Sequence, residues 1–195
     1  MTERKAETSR KTRETDISLS LNLDGTGVAE VATGIGFLDH MLSTLAKHAR
    51  IDLTLTCKGD LHIDDHHTAE DCALALGAAL DTALGSRAGI TRFGSAYAPL
   101  DEALARAVID LSGRPYAYVE LGLAREALGG LAAENAGHVL RSLAKAARAT
   151  LHVDVLRGEN DHHRVEAAFK AVALALRQAI ARTGEDGVPS TKGVL

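Results

Sequence analysis

The stretch Asp65-His66-His67-Thr68-Ala69-Glu70 occurs twice in this chain, the second time as Asp161-His162-His163-Arg164-Val165-Glu166. Each copy sets two adjacent histidines and a glutamate, HHxxE, at the head of an alanine-rich apolar run. On a helix the first histidine and the glutamate stand at i,i+4 and the second at i,i+3, so either imidazole can share a face with the carboxylate. Adjacent histidines diverge by about 100° around the helix axis. They are badly placed to chelate one ion and well placed to serve two.

The duplication extends upstream. His40-Met41-Leu42-Ser43-Thr44-Leu45-Ala46-Lys47 aligns with His138-Val139-Leu140-Arg141-Ser142-Leu143-Ala144-Lys145, 98 positions on. Leu21-Asn22-Leu23-Asp24-Gly25 resembles Ile109-Asp110-Leu111-Ser112-Gly113 more loosely. Each half therefore reads strand, histidine-bearing helix, strand, HHxxE helix. A period of about 100 residues belongs to a duplicated small domain and not to a solenoid.

Histidine and glutamate recur at the same relative positions while Thr68-Ala69 becomes Arg164-Val165. A bare echo of gene duplication does not explain why the polar residues persist. One half offers His40, His66, His67 and Glu70, the other His138, His162, His163 and Glu166, which suggests two metal ions per chain. Imidazole with carboxylate and no thiolate suits Mn, Fe, Zn, Co or Ni. Such a set leaves coordination positions open, which favours a catalytic ion over a structural one. His48 is matched by Ala146, so it is not a repeat ligand; it lies two turns beyond His40 on one face, a position open to contact with substrate or to support of a ligand. His62 and His152 are unpaired, the first read as a surface residue and the second as either structural or a support to a metal ligand.

Strand alternation runs through Ile17, Leu19, Leu21 and Leu23. Asp24-Gly25 then signals a turn, with residues 28–32 expected to return as the second strand of a hairpin. Helices are expected at 37–48, from 65 to about 84, at 134–149 and from 162 to about 182. Further strands are expected at 51–57, 103–111, 116–121 and 151–155. Residues 1–13 read as a mobile arm, 85–94 as a loop, 125–130 as a linker and 184–195 as a tail without regular structure. Cys57 and Cys72 read as small buried hydrophobes in a reducing compartment.

At 195 residues with 46% hydrophobic and 25% charged side chains, the chain can build a real core. A net charge of -4 gives no general basic surface for nucleic acid. No run is long and apolar enough to span a bilayer, and the charged N-terminus lacks a signal-type apolar segment. The expected location is cytoplasmic. Four cations are candidates for an anionic group: Arg92, Arg114, Lys170 and Lys192. Arg114 in a Ser-Gly-Arg-Pro turn and Lys192 in a Ser-Thr-Lys-Gly loop sit where backbone N–H groups and a hydroxyl could join them around a phosphate.

Several long stretches carry a resemblance. They include Gly36-Phe37-Leu38-Asp39-His40-Met41, His62-Ile63-Asp64-Asp65-His66-His67-Thr68-Ala69-Glu70-Asp71, Asp110-Leu111-Ser112-Gly113-Arg114-Pro115, Asn160-Asp161-His162-His163 and Pro189-Ser190-Thr191-Lys192-Gly193. The chain resembles the imidazoleglycerol-phosphate dehydratase family over nearly all its length beyond the first dozen residues; the match is poorest at 116–133. The resemblance implies an α+β fold, an internal duplication of a two-layer unit. Each unit is a mixed sheet with two helices on one face, and the helices pack together between the two sheets. It divides the chain into an arm at 1–13, repeats at 14–98 and 99–183, and a substrate-binding tail at 184–195. It also implies a homo-oligomer of 24 chains with active sites between subunits and two Mn(II) ions per chain, other divalent metals remaining possible.

Carried over residue by residue, the resemblance joins His66 and Glu70 to His138 and His163 at one ion. His40 and His67 join His162 and Glu166 at the other. Glu14, His48 and Lys170 face the substrate, and Arg92, Arg114, Ser190 and Lys192 hold its phosphate. The implied reaction dehydrates imidazole glycerol phosphate to imidazole acetol phosphate in histidine biosynthesis, through a metal-bound imidazolate and a diazafulvene-like intermediate, with Glu14 or His48 moving the carbon-bound proton. The competing readings are a metal-storage assembly, which has no use for the Arg/Lys set, and a dinuclear metallohydrolase, whose sites usually carry bridging carboxylates.

Overall fold

The computed structural model describes residues 3–193 and 195. Two four-stranded mixed sheets form, one from each half. The first contains β1 (Lys5–Lys11), β2 (Thr15–Asn22), β3 (Ala29–Ala32) and β4 (Asp52–Gly59), in the order β1-β2-β4-β3. The second contains β5 (Phe93–Leu100), β6 (Ala103–Asp110), β7 (Tyr116–Glu120) and β10 (Thr150–Arg157), in the matching order β5-β6-β10-β7. Between β7 and β10, a two-stranded hairpin of β8 (Ala127–Leu128) and β9 (Leu131–Ala132) occupies the stretch read as a linker.

Each sheet carries two helices on its inner face. Helices α1 (Gly36–Ala49) and α2 (His66–Leu84) lie on the first, and α3 (Ala133–Ala146) and α4 (Asp161–Ala179) on the second. Across the molecule, α1 packs on α4 and α2 on α3, so the helices form the middle of the sandwich. Their small residues permit close approach: a Cβ at Gly77 of α2 would lie 2.5 Å from the Leu143 carbonyl oxygen of α3. Leu, Ile, Val and Ala dominate the buried set, and Cys57 and Cys72 are buried free thiols within it. Among the described residues, no helix is long and apolar enough to cross a membrane.

Three further expectations change. Residues 28–32 do not close a hairpin on β2; Ala29–Ala32 runs parallel to β4, which lies between them. Asp52 at the start of β4 explains it, because its Oδ1 accepts the N–H groups of Thr26, Gly27 and Val28 at 2.8, 3.1 and 3.0 Å. The chain is thereby led past β2, and the β3–α1–β4 crossover follows the usual parallel-strand connection. In the second half β7 likewise pairs parallel to β10.

The segment read as a mobile arm is edge strand β1, paired over its whole length with β2. The end of the stretch read as a loop begins strand β5, where a Cβ at Gly94 would collide with the Ala175 carbonyl of α4. Pro99 is tolerated there because β5 is also an edge. Each sheet thus starts one strand ahead of the repeat boundaries at 14 and 99.

Candidate active site

Both HHxxE motifs open helices, for capping reasons visible in the sequence. The Asn160 side chain accepts the His162 N–H at 2.9 Å, and Asp64 Oδ1 accepts the His66 N–H at 2.9 Å. On each helix the first histidine and the glutamate face the partner helix of the other half, so two clusters form across the repeat.

In the first cluster, Glu166 Oε2 lies 3.1 Å from both His40 Nε2 and His162 Nε2. In the second, Glu70 Oε1 lies 3.1 Å from His138 Nε2 and Glu70 Oε2 lies 3.9 Å from His66 Nε2. Within each trio the candidate donor atoms lie no more than 4.8 Å apart. Two nitrogens and a carboxylate oxygen converging in this way are a donor set that fits a borderline divalent cation.

The second histidines do not join these clusters within the chain. His67 Nδ1 is 3.0 Å from Asp60 Oδ2, and His163 Nδ1 is 2.7 Å from Glu102 Oε2. Each carboxylate raises the pKa of its histidine. Glu102 is itself held down at about 2 by the Asn160 N–H, His163 and the Glu159 N–H. With Nδ1 committed to a carboxylate, Nε2 is the nitrogen left for a ligand. Glu14, on the β1–β2 turn, has Oε1 3.7 Å from His67 Nε2.

Beside the first cluster is an open cleft of about 460 Å³ whose lining includes His40, Thr44, His48, Glu166 and Lys170. Lys170 Nζ is 2.8 Å from Glu166 Oε1. Burial of Glu166 opposes its ionisation, but Lys170, His40 and His162 prevail and hold it at about 2. Burial and the Lys170 charge push the His48 pKa down, toward the neutral imidazole. A larger groove, about 560 Å³, lies on the outer face of the first sheet among serines and threonines and touches none of the site residues.

The cations of the expected phosphate set gather elsewhere. Arg92 binds Asp110 through two bonds, Nε at 2.7 Å and Nη2 at 3.1 Å, and its Nη1 donates to the Pro189 carbonyl at 2.7 Å. Arg114 Nη2 lies 3.9 Å from the same carboxylate, with a mostly exposed side chain. The Ser190 hydroxyl accepts the Lys192 N–H at 3.2 Å, so the tail is folded back beside this group. Asp110 ends β6 at the edge of the sheet opposite Ala103, which adjoins Glu102 and the His163 contact. Seven residue steps separate the two ends, roughly 23 Å.

Asp60, Glu102, Asp110 and Asn135 are the neighbours that the sequence did not single out. For Asp60, Glu102 and Asn135, the positions 98 residues away hold Gly158, Arg4 and Phe37, so the repeat gives no signal. Asp110 aligns with Asn22, a change that hides it equally.

Residues 33–176 match the family model described as imidazoleglycerol-phosphate dehydratase. A Phytophthora nicotianae protein of that name is 62% identical over 98% of this chain, which spans 42% of that longer protein. The Saccharomyces cerevisiae protein of that name is 54% identical, with both chains covered in full. The crystal structure of the Pyrococcus furiosus protein is 40% identical, with a TM-score of 0.83 over 96% of this chain and 100% of that one. The Staphylococcus aureus structure is 35% identical, with a TM-score of 0.81 over 92% and 99%. With most of its length inside the family model and its two-sheet fold shared with solved members, the chain belongs to the imidazoleglycerol-phosphate dehydratase family, hydro-lyases of histidine biosynthesis.

Proposed function

We propose that this chain dehydrates imidazole glycerol phosphate to imidazole acetol phosphate with two divalent ions, Mn(II) in the first instance, in active sites completed between chains of a large homo-oligomer. The observation that carries the reading is the split of each ligand set. Three donors converge within the chain, while the fourth, His67 or His163, stays outside the trio with its Nδ1 held by a carboxylate. His67 of one chain would join His40, His162 and Glu166 of another, and His163 would join His66, Glu70 and His138. The same division applies to the phosphate group, since no small substrate reaches from the metal donors to Arg92 and Arg114 along one sheet.

Cations held by His40, His162 and Glu166 and by His66, Glu70 and His138 would supply Lewis acidity to the substrate imidazole. The chain's own residues do the rest. Glu14 arrives beside His67 and takes the carbon-bound proton on its carboxylate. His48, kept toward neutrality in the cleft, is the other group able to accept it. Lys170 orients Glu166 and lies in the same cleft as His48. Asp110 holds the Arg92 guanidinium in plane and Arg92 fixes the tail, so that Arg92, Arg114, Ser190 and Lys192 bind phosphate. Loss of proton and hydroxide yields the enol, which ketonises.

Protein stripped of metal and reloaded with Mn(II) is expected to consume imidazole glycerol phosphate and form the ketone, and the stripped protein is not. A fully metallated oligomer without turnover would overturn the proposal. Arg114→Ala is expected to weaken substrate binding roughly 10- to 100-fold, the scale of one charge-assisted hydrogen bond. Both ions should be retained; unaltered affinity for substrate would move the phosphate site elsewhere.

A further inference from the structure

The two donor clusters are related by the repeat, yet their surroundings differ at one equivalent position. Asn135 and Phe37 each stand three residues ahead of a cluster histidine, His138 or His40. Each meets the first histidine of the other half's HHxxE. Phe37 packs edge-on against the His162 ring, centroids 5.2 Å apart. Asn135, only 3% exposed, instead places Oδ1 3.2 Å from His66 Nδ1.

The direction of that hydrogen bond is forced from further back. Asn135 Nδ2 donates to Asp65 Oδ2 at 3.0 Å, and the same oxygen accepts the Ala132 N–H at 2.7 Å. A carboxylate can only accept, so the amide nitrogen must face Asp65 and the amide oxygen must face His66. That oxygen also only accepts, so His66 Nδ1 must carry the proton. In a neutral imidazole Nε2 then holds the lone pair, and it points toward Glu70.

His162 has no counterpart to this relay: among the described residues its ring hydrogen bond runs from Nε2 to Glu166. Its glutamate is moreover shared with the Lys170 ammonium, whereas the described ion pairs of Glu70 are with histidines alone.

We propose that Asn135, held by Asp65, is a positioning residue. It fixes the Nδ1–H tautomer of His66 and makes the two metal sites unequal, the His66–Glu70–His138 site holding its ion more tightly. The proposal rests on the two-metal reading above. Loss of such an outer hydrogen-bonding group typically costs 10- to 100-fold in metal affinity.

The test titrates the metal-free, full-length protein with Mn(II) and follows bound ion by electron paramagnetic resonance. Two separated binding steps are expected, the tighter lost in His138→Ala and the weaker in His40→Ala. Asn135→Ala should weaken the tighter step about 10- to 100-fold and leave the weaker one in place. Asp65→Ala should do the same, while Asp65→Asn, whose amide oxygen still accepts from Ala132 and Asn135, should stay near the parent. This pair decides the matter even if Asn135→Ala does not fold. Two equal steps in the parent, or variants that weaken both steps alike, would overturn the relay with two-metal binding intact. A parent that binds no ion would overturn the two-metal reading itself.

Discussion

Glu14→Gln is expected to fold, assemble, retain both ions and bind substrate, yet turn over about 10²- to 10⁴-fold more slowly, the range of a general acid–base group. The engagement of the other two glutamates near the metal donors explains why the effect should be large. Glu70 and Glu166 are engaged by the histidine clusters. Glu14 is exposed on its turn and sits 3.7 Å from His67 Nε2, so ligand and base travel together. Glutamine keeps size and hydrogen bonding but cannot take a proton from carbon. Crystals of the variant soaked with substrate should therefore show the unreacted compound. Should Glu14→Gln turn over normally while His48→Ala is inactive and fully metallated, the proton belongs to His48.

Chelation should have an equally large effect, on mass as well as activity. Each ion is proposed to draw three donors from one chain and a fourth from the next, so metal-binding free energy is also association free energy. Removing the ions should abolish turnover and convert the large oligomer to smaller species, and Mn(II) should restore both. Light scattering that reports an unchanged mass after complete removal of metal would break this link.

Much of this was legible in the sequence because the HHxxE runs couple a cap, a helical period and a repeat in one stretch. The helices at 36–49 and 66–84 follow from that pattern nearly to the residue, while their counterparts start where expected and end about three residues early, at Ala146 and Ala179. Strand β1 was not legible because it is an edge: Lys5, Glu7, Ser9 and Lys11 face outward, and Ala6 is its only fully buried side chain. β5 was masked by Gly94 and Pro99, residues that suit an edge strand lying close under α4 but read locally as a loop.

The pairing of β3 depends on Asp52, more than twenty residues away, and no local turn signal encodes it. The same holds for the site. Which histidines could bind metal is plain from the duplication, whereas Asp60, Glu102 and Asn135, which aim them, lie outside it. The repeat also shows equivalence without showing that His40 meets Glu166 of the other half.

The central claim, a site assembled from two chains, is tested most directly by mixing two inactive variants. His67→Ala lacks the fourth donor, and His162→Ala lacks one of the three that receive it. Equal amounts, stripped of metal, combined and reassembled with Mn(II), should recover activity because about one site in four would pair an intact His162 with an intact His67 from a different chain in the closed oligomer. Each variant carried alone through the same treatment should remain inactive. Mixed oligomers no more active than the separate variants would contradict the account.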